Sequence, residues 1–124
     1  MNDTTPPPAR LRLRLLFGDE AMLGPGKAEL LERIRDTGSI SAAGREMQMS
    51  YKRAWMLVEE LNAVFRDPLV DTARGGPGGG GARLTKAGSD VLTLYREIEA
   101  EAARAAASRI AELGSMLHDI PERK

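Results

Sequence analysis

The 124-residue chain has no cysteine, a single histidine, one Trp, two Tyr and two Phe, and no formal net charge, with 18 Lys plus Arg against 18 Asp plus Glu. Without cysteine there are no disulfides, no thiolate nucleophile and no thiolate metal site, which fits a reducing compartment. The balanced charge gives no global field toward nucleic acid, so any affinity for DNA must come from a local patch. No apolar run approaches the ~20 residues needed to span a bilayer. Polar residues and three prolines stand where a signal peptide would have its apolar core. The expectation is a soluble cytoplasmic protein with no membrane partner. His118 has Asp119 as its nearest acid in sequence, so one chain cannot assemble a triad or a His-rich metal cluster. The chain is therefore expected to be no enzyme, with no catalytic residue, metal or cofactor, and His118 reads as a solvated group at a helix end.

What remains is one domain's length of chain with room for one modest core. Residues 1–9 are polar, run through Pro6-Pro7-Pro8, and read as a disordered tail. From Arg10 to Leu15 arginine and leucine alternate strictly, which predicts a strand with leucines on one face and arginines on the other. Such a charged face commonly is solvated or blunts a sheet edge; the other use open to it is contact with phosphate. Gly24-Pro25-Gly26 opens a helix whose Leu30, Leu31 and Ile34 face inward, and Gly38 suits its C-terminal cap.

The stretch from Gly38 to Trp55 is the most informative. Ser41 is placed to cap a short helix built on Ala42, Ala43 and Met47, and Ser50 to cap a second helix. Two caps so close leave room for one tight turn, at Gln48-Met49. In the second helix Ala54, Leu57, Val58, Leu61 and Phe65 recur at helical spacing as the buried stripe, while Lys52, Arg53, Met56 and Glu60 fall elsewhere. Cations in a first turn face the positive end of the macrodipole, at roughly 0.3–1 kcal/mol each. A helix that must meet phosphates and base edges has reason to carry them there, since a recognition helix touches DNA mostly through its first turns; a solvated turn with arbitrary charges is the plainer alternative.

Pro68 then stops the helix, Leu69 to Ala73 reads as a strand, Arg74 to Arg83 forms a glycine-rich tip and Leu84 lies on the returning strand. A phosphate-binding P-loop would end in Gly-Lys-Ser/Thr, but Gly81 is followed by Ala82-Arg83. A flexible linker is the plain alternative; the flanking arginines favour a DNA-contacting wing. Thr85 caps the last element, in which Ala87, Val91, Leu94, Ile98, Ala102, Ala105, Ile110, Leu113 and Leu117 recur mostly every three or four residues. A helix from Lys86 to Leu117 would be roughly 48 Å long at 1.5 Å per residue, too long for so small a domain to cover. A second copy is the economical partner, with Val91, Leu94, Ile98, Ala102, Ala105 and Leu113 as the dimerisation seam. The alternative is a helix packed once on its own domain, fraying at its end, with Gly114 marking the break.

Leu15-Leu16-Phe17, Gly38-Ser39-Ile40-Ser41, Ser50-Tyr51-Lys52-Arg53-Ala54-Trp55, Asn62, Pro68-Leu69-Val70, the run Gly75 to Ala82, and Leu84-Thr85 with Gly88 together resemble the N-terminal DNA-binding domain of the ModE family of molybdate-responsive transcription regulators. The resemblance covers Leu11 to Tyr95. It implies a mainly α fold with a small β wing: a winged helix-turn-helix, related to the LysR-type domain, over 10–85, followed by a long dimerisation helix and short tail over 86–124. It implies that Ser50, Tyr51, Lys52 and Arg53 start the recognition helix, that Ser39 and Ser41 begin the preceding helix, and that Arg74 to Arg83, with Gly78 and Gly79, form the wing. The implied function is sequence-specific binding of double-stranded DNA as a homodimer, with the recognition helix in the major groove, the wing on the flanking backbone or minor groove, and a link to molybdate homeostasis. Trp55 reads as core, one turn from Tyr51 and beside Val58. Two features depart from the family. Gln48 stands where its turn usually has glycine, at a cost of about 1 kcal/mol, and the family's C-terminal oxyanion-binding domains have no counterpart in these 124 residues, so metabolite sensing is expected to be absent or to fall to a separate oxyanion-sensing protein. The rival expectation is a protein-interaction adaptor on the same scaffold.

Overall fold

The computed structural model describes residues 9–76 and 79–118, with the side chains of 74–80 excepted. The expected tail at 1–8, Gly78 and the side chain of Arg74 therefore lie outside the described residues. In chain order the elements are β1 (Leu15–Phe17), β2 (Ala21–Leu23), α1 (Pro25–Thr37), α2 (Ile40–Glu46), α3 (Tyr51–Val64), β3 (Val70–Gly76), β4 (Gly79–Leu84) and α4 (Lys86–Gly114). This is the expected mainly α winged helix-turn-helix followed by a long helix.

The helix α1 is the hub. Pro25 begins it, where a missing N–H costs nothing. Gly38 ends it in the left-handed conformation, φ 72°, donating its N–H to the Ile34 carbonyl at 2.8 Å. Its Ala28, Leu30, Leu31 and Ile34 are fully buried against Ile40 and Ala43 of α2, Ala54, Val58 and Leu61 of α3, Leu69 and Val70 at the root of β3, and Leu92 and Tyr95 of α4. Each large apolar side chain of that cluster contributes about 1.5–3 kcal/mol by leaving water. Among the described residues no polar or charged side chain is buried in it.

The two strand pairs differ from expectation in informative ways. The alternation from Arg10 does not produce a strand until Leu15, and β1 pairs antiparallel with a second short strand, Leu15 opposite Leu23. Residues 10–14 keep the two-faced character, with Leu11 and Leu13 half-buried and Arg12 and Arg14 exposed, but lack a ladder. Their backbone is held instead by the Tyr95 hydroxyl, which donates to the Leu13 carbonyl at 2.6 Å. Alternation encodes which side is buried; it does not supply a neighbour to pair with. Burial pushes the Tyr95 hydroxyl above its ordinary pKa, and the charge of Glu99 adds to the shift.

The wing is more ordered than a loose glycine tip. Val70 pairs with Leu84, Asp71 with Arg83, Thr72 with Ala82 and Ala73 with Gly81, and after an irregularity Gly76 pairs with Gly79. Glycine disfavours a strand by entropy but does not forbid extended backbone, so the ladder runs into the glycine run. The wing's root is fixed from three sides. Ala82 N–H donates to the Gly38 carbonyl (2.9 Å), Thr85 N–H donates to the Leu69 carbonyl (2.9 Å), and Asn62 of α3 accepts from both Leu69 N–H (2.8 Å) and Val70 N–H (3.1 Å) while donating to the Val70 carbonyl (3.2 Å).

Thr85 caps α4 as expected, accepting from Gly88 N–H at 3.0 Å. The helix ends at Gly114 rather than Leu117, so Leu117 and His118 follow it. Its first turns pack on the domain through Gly88, Leu92 and Tyr95, a face that apolar spacing alone does not pick out. Gly88 is there because α4 lands on the strand backbone: a β-carbon at that position would collide with the Leu69 carbonyl. Arg96 joins the contact, with Nη2 2.8 Å from Glu32 of α1 and Nη1 2.8 Å from Glu99.

Candidate nucleic-acid interface

The short helix α2 and the helix α3 are joined by a turn that brings both N-termini toward the wing. The cap of α2 is Ser39, whose Oγ accepts from Ala42 N–H at 3.0 Å; the expectation that Ser41 caps it is corrected. Ile40 must enter the core, so the helix starts one residue after Ser39, and Thr37 Oγ1 steadies the approach by accepting from Ser39 N–H at 3.2 Å. Ser41 instead lies in the first turn, half-buried, and accepts from Arg45 Nη1 at 3.4 Å. Gln48 carries the turn at φ 60°, the left-handed conformation that glycine adopts most readily. Ser50 caps α3 by accepting from Arg53 N–H at 3.0 Å.

The capped end of α3 presents Tyr51, Lys52 and Arg53, all exposed, with Tyr51 58% accessible. Tyr51 stands edge-on to Trp55, centroids 6.2 Å apart and planes at 77°. Trp55 packs partly on the core, as its sequence position predicts, and its open side lines a groove of about 390 Å³ with Ser39, Ile40, Ser41, Tyr51, Thr72, Ala73, Gly81 and Ala82. The groove thus runs between the helix-turn-helix and the wing, and brings together the predicted Ser39, Ser41 and Tyr51. Gly79 lies in β4, and Arg83 is exposed on it, 3.9 Å from Asp71 across the ladder. So exposed a pair is worth little, and leaves Arg83 able to turn to phosphate.

Lys27, Arg33 and Arg96 are paired with carboxylates of other elements (Glu60, Glu46 and Glu32), and Arg35 and Lys86 with carboxylates of their own helices. Among the described residues none of Arg45, Lys52 and Arg53 has a carboxylate within 4.0 Å. Arg45 escaped the sequence reading; its signal was its place one turn after Ser41, on the same face. The geometry offers a capped helix end, uncompensated cations and an adjoining hairpin, which can meet the backbone and groove of a duplex.

Comparison with known proteins agrees. The profile described as "Bacterial regulatory helix-turn-helix protein, lysR family" matches residues 26–89, just over half of the chain, from the second residue of α1 to the start of α4. The chain belongs to this family. Among relatives of this lysR-family chain, the molybdenum-pterin-binding protein MopB of Rhodobacter capsulatus is 46% identical over 84 residues, 68% of this chain and 31% of MopB. The DNA-binding transcriptional dual regulator ModE of Escherichia coli is 38% identical over 87 residues, 70% of this chain and 33% of that protein. The molybdenum transport protein ModE of Herbaspirillum seropedicae is 44% identical over 70 residues, 56% of this chain and 26% of that protein. The chain thus spans about a third or less of the length of the curated relatives it matches.

Of the expected dimerisation residues, Val91 packs against the core and the others lie further out on α4. Val91 and Ala102 are half-buried, Ala105 is exposed, and Leu94, Ile98 and Leu113 are 58%, 38% and 64% accessible. Among the described residues no helix is long and apolar enough to cross a membrane, and no cluster of His, Asp or Glu could hold a metal ion.

Proposed function

We propose that this chain is a sequence-specific transcriptional regulator that binds double-stranded DNA as a homodimer, and that the genes it controls concern molybdenum. The observation that carries the reading is the exposed, uncompensated Lys52-Arg53 pair on the Ser50-capped first turn of α3, beside a wing locked to the same helix by Asn62. Tyr51, Lys52 and Arg53 enter the major groove, Ser39, Ser41 and Ser50 meet its phosphates, and the wing from Arg74 to Arg83 follows the flanking backbone or minor groove. The exposed Leu94, Ile98 and Leu113 of α4, with Val91, Ala102 and Ala105, form the seam with the second copy. The molybdenum link rests on the names of MopB and ModE.

The test is selection of bound sequences from a random duplex pool, followed by gel-shift titration at two salt concentrations. A regulator enriches one sequence and loses affinity steeply as salt rises, because each neutralised phosphate releases counterion. An adaptor protein on the same scaffold enriches nothing and shows almost no salt dependence.

A further inference from the structure

The arginine face of the N-terminal segment lies beside α3, on the side away from the wing. Arg12 and Arg14 share a groove of about 410 Å³ with Gly24 to Lys27 at the start of α1 and with Met49, Arg53 and Leu57 of the helix-turn-helix. The two grooves flank the recognition helix. Tyr51 and Trp55 face the wing groove, and Arg53 and Leu57, about 200° further round the helix at 100° per residue, face this one. The stem of Arg14 runs over Gly24, where an added β-carbon would stand 3.2 Å from Arg14 Cγ. The segment itself is tethered by the Tyr95 hydroxyl on the Leu13 carbonyl. Lys27 is already compensated, its Nζ 3.3 Å from Glu60. Among the described residues Arg12, Arg14 and Arg53 have no carboxylate within 4.0 Å. Arg12, Arg14 and Arg53 thus line one open groove without a carboxylate in ion-pair range. Arg12 also lines the neighbouring groove with Glu29, Glu32, Asp36, Glu46 and Glu99, so Arg14 is better placed than Arg12, and an arginine fork suits a phosphate oxygen pair.

We propose that this groove is a second backbone clamp: Arg12 and Arg14, beside the base-reading Arg53, bind phosphates of the duplex flanking the recognition helix on the side opposite the wing. This rests on the DNA-binding reading above and extends its footprint.

The test uses the full chain with the duplex it selects and with a scrambled duplex, measured by fluorescence anisotropy over a range of salt. Arg14→Gln makes the slope of log affinity against log salt shallower by about 0.9 per protomer, and Arg12→Gln/Arg14→Gln by about twice that. Both weaken the selected and scrambled duplexes by the same factor, since phosphates carry no sequence. Phosphate-ethylation interference loses its signal on the flank away from the wing. Arg66→Gln, which removes one exposed charge beyond the far end of α3, keeps the parent slope. The clamp is overturned if the double variant keeps the parent's slope and affinity while Arg53→Ala still loses discrimination, which leaves the DNA-binding reading standing. It is also overturned if Arg66→Gln flattens the slope as much as Arg14→Gln, for then only total charge matters. A parent that binds no duplex at any salt overturns the DNA-binding reading itself, and the clamp with it.

Discussion

Replacing Gly88 by alanine sets two effects of opposite sign against each other. Alanine is the better helix former by about 1 kcal/mol, so helix propensity alone predicts stabilisation. The methyl group, however, enters the Leu69 carbonyl, and the same β-carbon would stand 3.0 Å from the Leu69 carbonyl carbon and 3.3 Å from its Cα. Backbone cannot rotate away as a side chain can, so α4 must lift off the strand. Overpacking of this kind costs about 1–3 kcal/mol. Lifting also strains the Thr85 N–H bond to that carbonyl, 2.9 Å long, worth about 0.5–1.5 kcal/mol. The net is a loss of about 1–3 kcal/mol. At about 4 °C per kcal/mol for a domain of this size, the melting temperature should fall by roughly 4–12 °C. The assay is thermal unfolding followed by circular dichroism, with Gly26→Ala as control. Gly26 is exposed in the first turn of α1 and an added β-carbon there meets nothing within 4 Å, so that variant should melt no lower than the parent. A Gly88→Ala protein that melts as high as the parent would refute the packing account of α4, for helix propensity would then outweigh the clash.

Four further outcomes are expected. Arg53→Ala should lower affinity for the selected operator by about 1–3 kcal/mol and leave the melting temperature nearly unchanged, whereas Lys52→Ala should weaken all duplexes alike; titration of both against operator and scrambled DNA separates base from phosphate contact. Ile98→Glu should turn a dimer into a monomer, since an unpaired carboxylate in a buried seam costs several kcal/mol, and operator affinity should collapse with it; sedimentation showing a monomeric parent, or a dimeric variant, contradicts the seam. Ser39→Ala should cost about 1 kcal/mol as the loss of a cap while Ser41→Ala costs well under that, and equal melts for the two would return the cap to Ser41. Tyr95→Phe should lose about 0.5–1.5 kcal/mol through the Leu13 bond; because the folded-state pKa is raised, the parent keeps this stability below the unfolded value of ~10 and loses it as pH rises beyond, so the gap between parent and variant should close in alkaline melts.

What could be read from sequence was what is decided locally. Ser50, Thr85 and Gly38 were legible as caps because each satisfies backbone groups within four residues of itself. Ser39 and Ser41 offer the same hydroxyl two residues apart, and the choice between them is made by the burial of Ile40, a tertiary fact. The inward face of α4 is not legible in spacing for a similar reason. Spacing groups Val91 with Leu94 and Ile98, but which side of the helix meets the domain is set by Gly88 landing on Leu69. The bond from Tyr95 to Leu13 spans 82 positions and left no trace in any window. The cations of the candidate interface were visible as residues, whereas their freedom from carboxylates, and the neighbourhood of Arg14 with Arg53, exist only once the chain is folded.

The Asn62 amide, which accepts from two backbone N–H groups and donates to a carbonyl at the wing's root, makes α3 and the hairpin, the two parts proposed to meet DNA, a single caliper with its jaws set before any duplex arrives. A gauge of fixed opening does not adapt to its object. Operators whose groove width already suits the gap bind at no cost, and others must be bent or narrowed to enter it, so base steps lying between the jaws and touched by neither influence affinity through their stiffness.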